Sequence, residues 1–118
     1  MPGNETWITV CSKDDLAPGT MRWVSVNGER VLLANVEGEF CAVSDRCGHQ
    51  FASLSRGRLN GHEVECPLHF ATFDVRTGKC TGGPDSKDIA CYQVLVMGDD
   101  VRIKPRKPGG SGEAGLKF

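Results

Sequence analysis

The feature that most constrains this chain is a pair of cysteine and histidine motifs near its middle. The first motif runs from Cys47 to His49 and the second from Cys66 to His69, with sixteen residues between the two motifs. Thiolates and imidazoles are the side chains that bind transition metals in proteins. The two motifs therefore predict a metal site that holds two loops together.

The order of the ligands narrows the choice of metal site. A structural zinc finger usually takes both cysteines from one segment and both histidines from another. Here each segment offers one sulfur and one nitrogen. That arrangement suits a two-iron cluster in which the cysteines share one iron and the histidines the other. A zinc site, or unrelated core cysteines and surface histidines, are the alternatives.

The four-ligand pattern resembles the Rieske signature, C-x-H followed later in the chain by C-x₂-H. The resemblance covers roughly residues 7–104 and is strongest around the motifs, where Pro67 follows the second cysteine as it commonly does in that family. It implies that one [2Fe–2S] Rieske cluster is bound by Cys47, His49, Cys66 and His69. It implies no catalytic residue.

Runs of β-branched and aromatic residues separated by turn residues predict an all-β fold. Asn27-Gly28 is a strong hairpin signal, and Ser12 begins a short helical turn that Pro18-Gly19 stops. The resemblance implies an antiparallel β-sandwich or barrel as a basal domain, with a small cluster-binding subdomain inserted at about 45–76. Strands are predicted at 7–11, 21–26, 30–36, 40–44, 63–66, 70–75, 92–97 and 101–103.

The length and composition predict one Rieske-type domain at 1–107 and a flexible C-terminal tail at 108–118, which is rich in glycine. The formal charge of −1 gives no electrostatic reason to expect binding to nucleic acid or to an anionic membrane. The longest apolar stretch is only 31–36, and the N-terminus lacks a basic segment followed by a long apolar one. We therefore expect a cytoplasmic protein without a membrane segment.

Four of the six cysteines lie outside the two motifs. In a reducing cytosol, Cys11, Cys41, Cys80 and Cys91 are expected to be small hydrophobic residues. A disulfide between Cys80 and Cys91, or a redox-sensing thiol, is the alternative.

Several positions depart from the pattern of high-potential Rieske proteins. Those proteins carry one extra cysteine in each ligand loop, joined as a disulfide, where this chain has Ala52 and Leu68. They also place a serine and a tyrosine after the second motif, where this chain has Ala71 and Phe73. Because fewer hydrogen bonds then reach sulfur, the resemblance implies a low-potential, ferredoxin-like member.

Bulky residues stand beside both motifs. Phe51 and Phe70 occupy positions where ferredoxins of ring-hydroxylating dioxygenases usually have small residues, and bulky ones occur in Rieske ferredoxins of diiron monooxygenases. The two rings either shield the cluster or form an apolar docking rim with Gln50 and Pro84. The resemblance also implies that the loop at 82–84 packs over the cluster. His62 lies in a predicted turn and is expected to be a surface residue.

The resemblance implies a one-electron carrier between a flavin-dependent reductase and a terminal oxygenase, with transient docking at the cluster tip. The oxygenase would be either an aromatic-ring-hydroxylating dioxygenase or a diiron monooxygenase. The chain would not itself be an enzyme. Two other functions stay open: a small subunit or accessory domain of a nitrite-reductase-like oxidoreductase, and a zinc-stabilised interaction module.

Overall fold

The computed structural model describes residues 7–46, 53–67, 70–83 and 87–105. Short 3₁₀ helices lie at Lys13–Asp15 and Leu54–Arg56, and these residues contain no α-helix. The strands are β1 (Ile8–Ser12), β2 (Thr20–Val26), β3 (Glu29–Val36), β4 (Glu39–Ser44), β5 (Arg58–Asn60), β6 (Glu63–Glu65), β7 (Thr72–Asp74), β8 (Cys80–Gly82), β9 (Cys91–Tyr92), β10 (Val94–Met97) and β11 (Asp100–Ile103).

The strands form three antiparallel sheets, which confirms the predicted all-β fold. One sheet has the order β2-β3-β4-β9, a second β1-β11-β10, and a third β5-β6-β7-β8. The first two sheets make up the basal part. The third is built from the segment between β4 and β9, which contains the second predicted ligand motif.

The basal hairpins form where the turn residues predict them. Asn27 and Gly28 both have positive φ, 55° and 87°, as the two-residue turn between β2 and β3 requires. Glu37 and Gly38 repeat this pattern between β3 and β4, with φ of 54° and 95°. The predicted helical turn is also present: Ser12 caps the first 3₁₀ helix in a capping box.

Strand β3 is buried on both faces and separates two cores. Its odd-numbered residues, such as Val31 and Leu33, pack with Ala42 and Val101 in the core between the basal sheets. Its even-numbered residues pack in a second core with residues of the third sheet. That second core contains Leu32, Ala34, Val36, Cys41, Val43, Leu54, Val64, Cys66, Ala71, Phe73 and Val75. The third sheet is therefore seated on the outer face of β3 and β4.

The structure corrects the strand predictions in the second half of the chain. The predicted strand at 92–97 is two strands, because the chain leaves β9, which pairs with β4, and begins β10, which pairs with β11. The break falls at Gln93, whose carbonyl accepts a hydrogen bond from the Lys104 N–H at 3.1 Å. Strands β5 and β8 were not predicted, since each has only three residues and lacks a clear apolar alternation.

No helix in the described ranges is long and apolar enough to cross a membrane. The tail at 108–118 lies outside the described residues, so the predicted boundaries of the domain and of its inserted subdomain stay predictions.

Candidate metal centre

Cys66 is the predicted ligand whose surroundings the structure describes. It follows β6 directly and is fully buried in the core that joins the third sheet to β3 and β4. Cys47, His49 and His69 lie outside the described residues. The structure therefore places one thiol at a buried position and gives the anchoring of both ligand loops.

The second ligand loop begins and ends at residues whose backbones are hydrogen bonded to each other. The Cys66 N–H donates to the Ala71 carbonyl at 2.7 Å, and the Phe70 N–H donates to the Cys66 carbonyl at 3.0 Å. The four residues 67–70, which include His69, therefore connect two backbone positions that are hydrogen bonded to each other. The two ends of the second ligand loop are therefore held close together.

Phe70, at the end of this loop, has an unusual backbone conformation and an exposed side chain. Its φ is +63°, and 63% of its surface is exposed. Positive φ is uncommon for a bulky residue. An aromatic ring that stays exposed also contributes little hydrophobic stabilisation to the fold. Strained backbone of this kind is concentrated at functional sites. The exposure of Phe70 fits the predicted docking rim better than a shield, whereas Gln50, Phe51 and Pro84 lie outside the described residues.

The first ligand loop is anchored at both stems. Arg46 and Ser53 form an isolated antiparallel bridge, and the Leu54 N–H donates to the Asp45 carbonyl at 2.7 Å. The stems thus meet on either side of residues 47–52. Leu54 and Cys66 belong to the same hydrophobic core. The bases of the two ligand loops therefore pack against one shared set of buried residues.

The loop at 82–84, predicted to pack over the cluster, contacts the second ligand loop through Gly83. A Cβ placed on Gly83 would lie 2.6 Å from the Ala71 Cα and 2.8 Å from the Phe70 carbonyl oxygen. Gly83 also has φ of +89°. Both observations require glycine there, so the described part of this loop packs its backbone closely on Phe70 and Ala71.

Two polar pairs lie near the start of β6, at the opposite end of that strand from Cys66. Arg76 donates from Nε and Nη2 to the Asp74 carboxylate at 3.1 and 2.9 Å, and this hydrogen bonding lowers the pKa of Asp74. His62 is partly exposed, with Nε2 3.5 Å from Glu39 Oε1. Both pairs are partly exposed to solvent, so each contributes little to stability.

The residues present fit a Rieske [2Fe–2S] cluster. Cys66 supplies a buried thiol at the base of a closed loop, and by sequence each loop contributes one cysteine and one histidine. The close packing of Gly83 on the second loop leaves no room for a side chain beside it.

A family model described as the Rieske [2Fe-2S] domain matches residues 6–93. The chain belongs to the Rieske family. Among curated relatives of Rieske type, the ferredoxin component of the naphthalene 1,2-dioxygenase/salicylate 5-hydroxylase systems of Ralstonia sp. is 42% identical over 100 residues, which covers 85% of this chain and 96% of that one.

Solved Rieske structures agree with this family. The ferredoxin of carbazole 1,9a-dioxygenase from Nocardioides aromaticivorans IC177 superposes with a TM-score of 0.83 at 34% identity, covering 86% of this chain and 99% of that one. A chain from the complex of reduced oxygenase and oxidized ferredoxin in carbazole 1,9a-dioxygenase gives 0.81 at 34% identity, covering 87% and 97%. The predicted Rieske-type ferredoxin is confirmed: this protein is an electron carrier and not an oxygenase.

One group beside the Rieske site was missed from the sequence. Asp45 is fully buried two residues before Cys47 and is bonded to Arg30 and Ser53. A carboxylate that directly follows an apolar strand and precedes a ligand motif was the available signal. Its partners could not be read from the sequence, because Arg30 is distant in the chain.

Proposed function

We propose that this chain carries single electrons from a flavin-dependent reductase to the terminal oxygenase of an aromatic-ring-hydroxylating dioxygenase system. The observation that carries the proposal is the 42% identity to a relative named as the ferredoxin component of such a system, over nearly the whole length of that relative. The relative's name favours a dioxygenase over a diiron monooxygenase as the partner. The solved complex of an oxygenase with a similar ferredoxin supports docking to an oxygenase.

We assign Cys47, His49, Cys66 and His69 as the ligands of one [2Fe–2S] cluster, which supplies one-electron redox chemistry when bound. The two cysteines would hold the inner iron, in keeping with the burial of Cys66. The two histidines would hold the outer iron. Neutral imidazoles carry less negative charge than thiolates, so they make reduction easier than in an all-cysteine site.

Docking would take place around Phe70. An electron carrier must leave each partner after transfer, so its interface should be small, about 1,200 Å² or less. Phe70 offers an exposed apolar ring at the end of the second ligand loop. Gln50, Phe51 and Pro84 complete the proposed rim. A reductase partner is inferred because a carrier needs a source of electrons.

We also place the protein in the cytoplasm. Cys11, Cys41 and Cys80 are free thiols, as a reducing compartment would keep them. The free Cys80 thiol also favours the predicted role as a small hydrophobic residue over a disulfide with Cys91.

The ligand assignment is tested by iron and sulfide analysis of Cys66→Ser, with absorption and EPR spectra of the reduced protein. We expect colourless, poorly folded protein, because thiolate–iron bonds tie the two loops together. Cys11→Ala and Cys91→Ala are the controls and should keep the wild-type iron content. Retention of both irons and the native spectrum in Cys66→Ser would show that the assignment is wrong.

Electron transfer is tested by mixing prereduced protein anaerobically with the terminal oxygenase of a naphthalene 1,2-dioxygenase system. We expect single-turnover reduction of the oxygenase with weak dependence on salt, since apolar contact sets the affinity. Absence of transfer to any ring-hydroxylating oxygenase, together with co-purification with a nitrite-reductase-like enzyme, would favour the alternative function.

A further inference from the structure

Asp45 is a fully buried carboxylate whose role the electron-carrier function leaves unexplained. It lies just after β4 and two residues before Cys47. Burying an ionised carboxylate is strongly unfavourable unless other groups neutralise it and hydrogen bond to it. A buried acid at this place therefore needs partners that are held in position.

Both carboxylate oxygens of Asp45 have such partners. Arg30 donates to Oδ2 from Nε at 3.2 Å and from Nη2 at 3.1 Å. The Ser53 hydroxyl donates to the same oxygen at 2.5 Å, and the Ser55 N–H donates to Oδ1 at 2.8 Å. The carboxylate is thus paired with a cation and satisfied by hydrogen bonds on both oxygens.

These donors come from two different segments. Arg30 belongs to β3 of the basal part, whereas Ser53 and Ser55 lie on the stem by which the first ligand loop returns. The backbone repeats the arrangement: the Asp45 N–H donates to the Arg30 carbonyl at 3.2 Å, and the Asp45 carbonyl accepts from the Leu54 N–H at 2.7 Å. One residue therefore ties the outgoing stem both to the basal sheet and to the returning stem.

The Arg30 guanidinium is itself held in place by two neighbouring side chains. The Arg30 guanidinium stacks on the Trp23 ring, with Cζ 3.9 Å from the ring centre. Its Nη2 also donates to the Ser53 hydroxyl at 3.2 Å. A planar guanidinium stacked on one face and bonded along its edge has little freedom to move. Asp45 is consequently bonded to a guanidinium whose position is fixed by its neighbours.

We propose that Asp45 is a positioning residue for the first ligand pair. Its carboxylate holds the two stems of the loop at 47–52 together, and thereby fixes the two ends of the segment that contains Cys47 and His49. The inference rests on the proposed ligation by these two residues. Groups that orient metal ligands in this way affect metal retention even though they do not touch the metal.

The test measures iron release from Asp45→Asn to a chelator at a temperature well below unfolding. The variant keeps the shape of the side chain but replaces one acceptor oxygen by an amide that faces donors. We expect release about 10-fold faster than in the wild type, the lower end of the range for residues that orient ligands. The EPR spectrum of the reduced protein should shift as well.

Asn35→Ala is the matched control. Asn35 is another buried polar side chain of the basal sheet: its Nδ2 donates to the Leu16 carbonyl at 2.8 Å, and its Oδ1 accepts from the Gly38 N–H at 2.7 Å. Its loss should lower the melting temperature but leave iron release and the spectrum unchanged. If both variants release iron equally at equal loss of melting temperature, or Asp45→Asn behaves as the wild type, the positioning role is wrong.

Two further variants keep the outcomes separate. Should Asp45→Asn fail to fold, Ser53→Ala removes a single donor from the same carboxylate and must still speed iron release, or the inference fails. Cys47→Ser tests the ligation itself. If Cys47→Ser is colourless while Asp45→Asn releases iron at the wild-type rate, only the positioning role is overturned. Full iron content in Cys47→Ser would instead overturn the ligand assignment, and the positioning role with it.

Discussion

Gly83 packs its backbone directly on that of Ala71, with a space between them too small for a methyl group. A Cβ on Gly83 would lie 2.6 Å from the Ala71 Cα, and φ at Gly83 is +89°. The contact joins the loop after β8 to the second ligand loop, five residues beyond Cys66. The position of the end of the second ligand loop is therefore set partly by a segment outside both motifs.

Gly83→Ala should weaken cluster binding. The added methyl group must move one of the two loops, and the positive φ adds about 1–2 kcal/mol of strain. We expect a lower melting temperature and a lower iron content per chain, measured by calorimetry and by iron analysis.

Gly28→Ala separates the two causes. Gly28 has nearly the same φ, +87°, but nothing lies within 4 Å of its Cβ position. This control should lose stability through strain alone and keep the wild-type iron content. Equal iron loss in both variants would mean that the Gly83 contact has no special role.

Phe70 should lower the stability of the fold but speed the transfer of electrons to the oxygenase. Phe70→Gly relieves the left-handed strain and keeps the N–H bond to Cys66, so its melting temperature should equal or exceed that of the wild type. Phe70→Glu places a charge on the proposed rim. Both variants should slow single-turnover reduction of a terminal oxygenase while the cluster's visible spectrum stays unchanged.

Met97→Glu is the control for the charge. Met97 is also an exposed apolar residue, 52% accessible, but it lies on β10 of the basal part. It should transfer electrons at the wild-type rate. Slow transfer in Met97→Glu together with normal transfer in both Phe70 variants would move the docking surface to the basal sheet.

The reduction potential should lie at the low end of the Rieske range, on the order of −150 mV. Ala71 and Phe73 are fully buried in the same core as Cys66 and offer no side-chain hydrogen-bond donor. Ala71→Ser and Phe73→Tyr should each raise the potential, as measured by protein-film voltammetry, because added donors stabilise the reduced cluster. Ala42→Ser, in the other core, should not change it. A wild-type potential well above zero would contradict the prediction.

Cys41 should make stability depend on alkaline pH. Burial, reinforced by Glu39, raises the pKa of Cys41 from its ordinary value of 9.0 to about 11. The thiol is therefore neutral in the folded protein, and its contribution is fully present below pH 9 and lost as the pH rises from 9 to about 11. The loss cannot exceed about 1.4 kcal/mol per pH unit.

Thermal unfolding of the wild type and of Cys41→Ala between pH 7 and 11 measures this effect. Other titrating groups are common to both proteins, so their difference isolates the thiol. The stability advantage of the wild type should shrink above pH 9. A constant difference across the range would contradict the raised pKa.

The sequence was sufficient wherever local chemistry decides the structure. Asn27-Gly28 allows the positive φ that its hairpin needs, so β2 and β3 could be placed with small boundary errors. The C-x-H and C-x₂-H spacing is specific enough that the family could be recognised from few residues.

The sequence was insufficient where contacts between distant segments decide. The run at 92–97 has strand composition throughout, and only pairing with β4 on one side and β11 on the other breaks it at Gln93. Likewise, nothing local to Asp45 shows that Arg30 reaches it, or that Gly83 will meet Ala71. Tertiary pairing, and not propensity, fixes these positions.

The pairing of β1 with β11 joins the two ends of the described chain, with Ile8 opposite Ile103. Closing so long a loop is slow, because its entropy is lost before the contacts form. The hairpins from β5 to β8 join neighbouring segments and meet no such delay. The third sheet and the β3–β4 hairpin on which it packs can therefore form while β1 and β11 are still apart.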